Sequence, residues 1–407
     1  MIEPLPKTVV LGGGIAGLEA LMALADLAGE RTELTLVAPD PDFQLRPMVV
    51  EEPFTSKPAE QHELGPIAEG LGAKLLRGAV AAVDPAARAV DLADGTRLDY
   101  DFLVACVGGR TRSVYKNATT LLSVGAAMDI DRLLADAATH ESHRIAFVVP
   151  PGVTWTLPLY EIALMSRRRA VELGHRELEI SLCSPEVAPL VIFGSAPSIA
   201  VAELLKARKI DFHGDADVRE TPSGSFETPA NADLEAGVTI ALPVIDGPML
   251  PGLPHDDGGF APIDDHARIR GVERVYAAGD GTNFPIKQGG LGTQQADAAA
   301  EHIAEQLGAD LEAAPFHPVL RGKLIIGGES LNLSHDLTGE SAEGVASADY
   351  LWWPPHKVSG RYLAAWFAHE PVRADPGPRA RPLEIEIALP HEWHEDPKAL
   401  NPYGPAG

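Results

Sequence analysis

The amino-acid sequence predicts an α/β fold: two Rossmann-like domains, the first split by the second, followed by a C-terminal capping segment. Three ordered signals predict it. A glycine-rich turn follows a short apolar run at the N-terminus. A second apolar run ends in "VGG" at residue 109, and "VYAAGD" (275–280) precedes a long Ala-rich helical stretch. Between the last two, a further strand–turn–helix pattern opens at residue 145 and marks the insertion.

The first element is "KTVVLGGGIAGLEALMALADLAG". Thr8 to Leu11 read as a buried strand, Gly12, Gly14 and Gly17 form G-x-G-x-x-G, and Leu18, Leu21, Leu24 and Leu27 carry a helical period. In this arrangement the first glycine makes the tight turn, the second admits a pyrophosphate to the backbone, and the third packs helix on strand. The helix start then offers unpaired N–H groups and the positive end of its dipole to phosphate. A second strand, "TELTLVAPD", follows. Its end normally carries an acid that holds a ribose; here Ala38-Pro39 stand first and Asp40 is the nearest carboxylate.

"DGTRLDYDFLVACVGG" (94–109) reads as a hairpin strand and a core strand ending in Gly108-Gly109, where the backbone can pass close to a ligand. In "GVERVYAAGDGTNFPIKQGGLGTQQADAAAEHIAEQL" (271–307), Val272 to Ala278 read as a strand, Gly279-Asp280 as a sharp turn and Gly292 to Leu307 as a helix. A carboxylate at such a strand end suits a polyol hydroxyl, and the helix start suits a developing negative charge.

The inserted unit opens with "IAFVVPPGVTWTLPLYEIAL" (145–164). Its pattern is that of a nucleotide-binding βα unit, but Pro150 and Pro151 have no N–H to give a phosphate. Thr154 and Trp155 stand where close backbone approach needs small residues. "ELEISLCSPE" (177–186) continues as a strand and "IAVAELLKARKI" (199–210) as a helix. The fold is kept while the phosphate loop is lost. Glu161 reads either as a carboxylate near a nicotinamide or as a first-turn acid facing the helix dipole.

Composition narrows the function. The 407 residues carry 58 acidic against 33 Lys and Arg side chains, a net charge of −25, which argues against nucleic acid. Two cysteines, Cys106 and Cys183, lie far apart in strand-like runs; no CxxC pair exists, and both read as buried structural residues. No apolar run is long enough to span a membrane, and no signal peptide is evident, so a cytoplasmic location is expected, with peripheral membrane attachment left open.

Beyond residue 314, "KLIIGG" (323–328) reads as a strand, and residues 357–368 have helical spacing through Val358, Tyr362, Leu363, Trp366 and Phe367. Core or oligomer interface, pocket wall and membrane face all remain open for this aromatic stripe. "RADPGPRARP" (373–382) reads as an extended linker, "LEIEIAL" (383–389) as a half-buried strand, and "HEWHED" (391–396) as a solvent-exposed tail, so no metal is expected.

The three ordered motifs resemble the FAD-binding flavoproteins with two dinucleotide-binding domains, the pyridine nucleotide-disulfide oxidoreductase superfamily. The middle motif departs from the group's usual wording at Cys106. The lost second loop and "FPIKQGGLGTQQADAAAEHIA" together resemble the sulfide:quinone oxidoreductase and flavocytochrome c sulfide dehydrogenase branch. This resemblance implies FAD as cofactor. It places Gly12, Gly14 and Gly17 at the pyrophosphate, Asp40 at the ribose and the backbone of Val80 at the adenine. Arg46 and Pro47 come near the isoalloxazine, Asp280 holds the ribityl chain, and Gly108 and Gly279 count among the cofactor-binding residues. Lys287 and Gln288 fall beside N1–C2=O, with Lys287 stabilising the anionic reduced flavin. Neither cysteine matches a redox position of that branch, which counts against sulfide as donor.

The implied layout is an FAD domain in two parts, 1–118 and 245–315, an inserted Rossmann-like domain at 119–244, and a C-terminal segment at 316–407. The implied reaction passes two electrons from a small-molecule donor through FAD to a quinone or protein acceptor. Two alternatives stand beside it: an NAD(P)H:quinone oxidoreductase with a modified loop, and a flavin-binding redox sensor or assembly partner. A homodimer is left open.

Overall fold

The computed structural model describes residues 4–55, 58–121, 128–228, 234, 236–339 and 342–373. The expected strand at 383–389, the tail at 391–396 and nearly all of the linker lie outside the described residues.

The first domain begins with β1 (Lys7–Leu11), α1 (Ile15–Ala28), β2 (Glu33–Ala38), β3 (Lys74–Arg77) and β4 (Phe102–Ala105). These strands are parallel, in the order β4-β1-β2-β3. Both faces of such a sheet are covered, so β1 and β4 are apolar without alternation; Val10, Leu11, Leu103 and Val104 are fully buried.

The chain then crosses into the insertion: β5 (Thr119–Thr120), α2 (Ile130–Thr139), β6 (Arg144–Val148), α3 (Leu157–Glu172), β7 (Glu179–Cys183), α4 (Ser195–Ala207), β8 (Ile210–His213) and β9 (Val238–Ala241). Its sheet is also parallel, in the order β5-β9-β6-β7-β8. The outgoing and returning chains pair with each other, Arg110–Arg112 antiparallel to Val244–Asp246.

After the return, β10 (Val275–Ala277) joins the open edge of β4, and α5 (Gly289–Gln306) packs against α1. Three antiparallel strands, β11 (Val319–Ile325), β12 (Ser330–Asp336) and β13 (Val345–Ser347), lean on the inserted domain through α3 and α4. A short helix, α6 (Leu363–Ala368), rests on α1. The helical spacing at 357–368 thus yields helix only from Leu363. Ser359-Gly360 and the upstream Pro354-Pro355 keep the preceding residues irregular.

The first turn shows why its glycines are not alike. Gly12 has φ +106°, its N–H bonds to Val37 O at 2.7 Å, and a Cβ there would stand 2.2 Å from Cys106 O. A Cβ on Gly17 would stand 1.8 Å from Gly12 O, whereas one on Gly14 would meet nothing within 4 Å. Two of the three glycines therefore serve packing, and the third faces open space. Gly17→Ala is expected to cost about 3 kcal/mol through overpacking, and Gly14→Ala under about 1 kcal/mol; urea unfolding of the two variants checks the contrast.

Candidate functional site

Where β1 meets α1 the backbone has donors to spare. The N-cap of α1 is Gly14, with no side-chain cap and no acid in the first turn. The first N–H groups of a helix have no intrahelical acceptor, so this end suits an anion. Together with the open face of Gly14, the turn fits a dinucleotide pyrophosphate.

The flanking residues sit as follows. Asp40 is exposed just past the end of β2. Gly78 donates to Ala38 O at 3.0 Å, which brings the turn before Val80 beside the same strand end. Val80 opens the hairpin strand Val80–Asp84 and is half-buried. Arg46 and Pro47 start the 3-10 segment Arg46–Phe54; Arg46 is exposed and Pro47 half-buried.

At the same end of the sheet, after the neighbouring β4, Gly108 has φ +72° and open space around it, while Gly109 is pressed against Ile245. Gly279 turns at φ +84°, and its N–H donates to Gln295 Oε1 at 2.8 Å. Thr282 Oγ1 donates to Gly279 O at 3.0 Å. Gln295 thus fixes the turn from inside α5, a role no local pattern in the sequence disclosed.

Asp280 is half-buried beside this turn. Burial pushes its carboxyl up, and the charges of Lys287 and Arg46 pull it back. The fold therefore brings Arg46, Asp280 and Lys287 into one electrostatic neighbourhood. The Lys287 ammonium donates to Thr282 O at 2.5 Å and lies 3.6 Å from the Phe260 ring centre. Burial lowers its pKa to about 8, against the opposing pull of Asp280 and Asp256. Gln288 is buried, and its amide is committed: Oε1 caps α5 by accepting from Leu291 N at 2.7 Å, and Nε2 donates to Arg321 O at 3.1 Å.

The inserted domain closes its own ligand end. The turn after β6 runs through Pro150, Pro151 and Gly152 at φ +82°. Thr154 Oγ1 donates to Pro285 O at 2.5 Å, and the Trp155 ring lies 5.8 Å from that of Phe193. Past β7, Glu186 accepts from Tyr160 and Ser184, both at 2.9 Å. The loop that would cradle a phosphate is instead fastened to the stretch that carries Lys287.

Glu161 is not a first-turn acid facing the helix dipole, because the helix starts at Leu157 and carries no acid in its first turn. It is fully buried in α3 and paired with Lys357, 7% exposed, and it accepts from Ile325 N at 2.8 Å. Lys357 also donates to Lys323 O at 3.1 Å. Burial pushes the Glu161 carboxyl up and the Lys357 ammonium down, and each is countered first by the other's charge. This ion pair ties the inserted domain to the C-terminal segment. Cys106 and Cys183 are free and buried, each thiol pushed up to about 12 by burial. Among the described residues no group of three or more His, Cys, Asp or Glu is placed to hold a metal, and no helix is long and apolar enough to cross a membrane.

No protein-family model matches the chain. The chain is 22% identical over 254 residues to the sulfide-quinone reductase of Aquifex aeolicus, and the matched stretch spans 59% of each protein. The match therefore covers less than two thirds of that relative. In three dimensions the chain resembles the sulfide:quinone oxidoreductase of Aquifex aeolicus with a TM-score of 0.75 and 19% identity, covering 84% of this chain and 86% of that one. It resembles a ferredoxin reductase of Rhodopseudomonas palustris with a TM-score of 0.60 and 15% identity, covering 82% and 83%. For an NAD-dependent persulfide reductase from A. fulgidus the TM-score is 0.58 and the identity 16%, covering 81% of this chain and 64% of that one.

The buried pair gives a stability test. Lys357→Met leaves the Glu161 charge unpaired and is expected to cost about 3–5 kcal/mol. Adding Glu161→Gln, which keeps an acceptor for Ile325 N, should restore most of that loss in chemical denaturation.

Proposed function

We propose that this chain, which by its fold belongs to the pyridine nucleotide-disulfide oxidoreductase superfamily in its sulfide:quinone oxidoreductase-like branch, is an FAD-dependent oxidoreductase. It takes two electrons from a small donor that reaches the flavin without docking on the inserted domain, and passes them to a quinone-like or protein acceptor. The observation that carries this reading is the inserted domain itself. It keeps a five-stranded parallel sheet, yet its phosphate turn is made of prolines and bonded through Thr154 to Pro285. NAD(P)H has no cradle there.

When bound, FAD supplies the two-electron chemistry, and the protein supplies position and charge. In this reading Gly12, Gly14, Gly17 and the start of α1 hold the pyrophosphate. Asp40 takes the ribose, and the Val80 backbone faces the adenine. Asp280 accepts from the ribityl hydroxyls where Gly279 and Gly108 let the backbone pass close. Arg46 and Pro47 border the ring, with Gln288 fixing the start of α5. Lys287 is the group we assign to the negative charge that builds up on reduction, because an ammonium in a partly water-excluded site acts strongly.

The buried state of both thiols supports a donor whose oxidation needs no cysteine relay. A thiol rather than a thiolate is a poor nucleophile. The double variant Cys106→Ala, Cys183→Ala should therefore keep its donor oxidation rate within about twofold.

The direct test is anaerobic. The FAD-loaded protein should stay yellow with NADH or NADPH, bleach with its donor, and recover its colour when a short-chain quinone is added. Fast bleaching by NADH would overturn the blocked loop, and bleaching by sulfide would overturn the argument from the cysteines. The role of Lys287 has a pH signature. Below about 8 the ammonium is charged and favours the reduced state; above it that contribution is lost. The wild type should have a reduction potential about 30 mV above that of Lys287→Met, equal to about 1.4 kcal/mol for two electrons, and the gap should close as pH rises past 8.

A further inference from the structure

An acid lies on the buried face of α1 among apolar neighbours. Glu19 is fully buried between Leu18 and Ala20, also fully buried. Its carboxylate grips the C-terminal segment: Oε1 accepts from Tyr362 N at 2.7 Å and Oε2 from Leu363 N at 2.8 Å. From α5, Asp297 lies beside Glu19, and its own Oδ1 is buried without a hydrogen-bond partner.

The segment that arrives here lies flat on both helices. A Cβ on Gly289 at the start of α5 would stand 3.7 Å from Val358, and one on Gly290 2.7 Å from Ser359 Oγ. At Gly360 there is no room for a side chain, since a Cβ would stand 2.4 Å from Glu19 Oε2 and 3.1 Å from Thr293. Arg361 donates to Glu301 at 3.0 Å and Tyr362 Oη to Asp26 at 3.0 Å. The upstream end is held by Lys357 on Glu161, with the charges of Glu51 and Lys323 nearby.

We propose that residues 357–363 are a strap across α1 and α5, and that the Glu19–Asp297 carboxyl pair makes its docking proton-dependent, tight in acid and looser in alkali. Two carboxyls in contact and out of water cannot both ionise cheaply. The groups facing the pair from every packed element are Arg361 and Tyr362 on the strap, Asp26 on α1 and Glu301 on α5. Only Arg361 among them is a cation, and it is shared with Glu301. The docked pair therefore holds protons that the undocked, hydrated pair gives up. Burial raises Glu19 to about 7 and Asp297 well above the usual carboxylate range. For groups so shifted, docking is fully favoured below the free carboxyl values and weakens as pH rises toward the docked ones.

Amide hydrogen exchange on the full-length, FAD-loaded protein reads this directly, and it needs neither donor nor acceptor. After correction for intrinsic exchange, the opening constant at Tyr362 and Leu363 should rise about tenfold per pH unit between pH 5 and 7 for each linked proton. Asp297→Asn keeps shape and hydrogen bonding while removing the like charge, and should flatten that rise. Gly360→Ala changes no charge and should raise opening at least tenfold at every pH. A wild type whose opening is constant with pH, an Asp297→Asn variant with an undiminished slope, or a Gly360→Ala variant that exchanges like wild type would each overturn the proposal.

Discussion

The structure depends on how closely two helices approach. α1 follows the first turn and α5 follows the last, so the two ends of the dinucleotide-type domain meet only if these helices pack tightly. They do so through small residues: a Cβ on Gly292 would lie 3.0 Å from Gly279 Cα, and a Cβ on Gly279 would lie 3.1 Å from that of Ala16. Any branched side chain at this seam would part the two helices. That would separate the turn at Gly14 from the turn at Asp280, which lie far apart in sequence. Close packing here is thus a requirement of the site as much as of the core.

The same seam explains what could be read from the sequence. Glycines at fixed offsets after an apolar strand state their purpose locally, because a tight turn and a helix–strand contact both lie within a few residues. The parallel sheets were legible too, since β1, β4, β6 and β7 are apolar runs of strand length bounded by turns. That the turn after β6 is poor in N–H donors was legible because proline removes one whatever the tertiary context.

What the sequence hid is long-range. Lys357 and Glu161 are 196 positions apart, and neither carries a local pattern that names the other. Gln288 has the look of a ligand-facing polar residue, yet its amide closes α5 and reaches β11. The helix expected from Val358 begins only at Leu363, because the strap before it takes its hydrogen bonds from Glu19 rather than from its own turn. Glu19 did leave a trace: a carboxylate amid leucines and alanines must find buried donors or be protonated. The trace shows that a partner exists without saying which one.

The bond from Thr154 to Pro285 has a mechanical meaning. In a two-domain protein that admits a nucleotide, the second domain must leave a gap and can flex about it. Here Thr154 crosses that gap to Pro285, and the Glu161–Lys357 pair fastens the same domain to the C-terminal segment. These bonds brace the inserted domain against its neighbours. Whatever approaches beside it would meet a surface whose lining those bonds help to set.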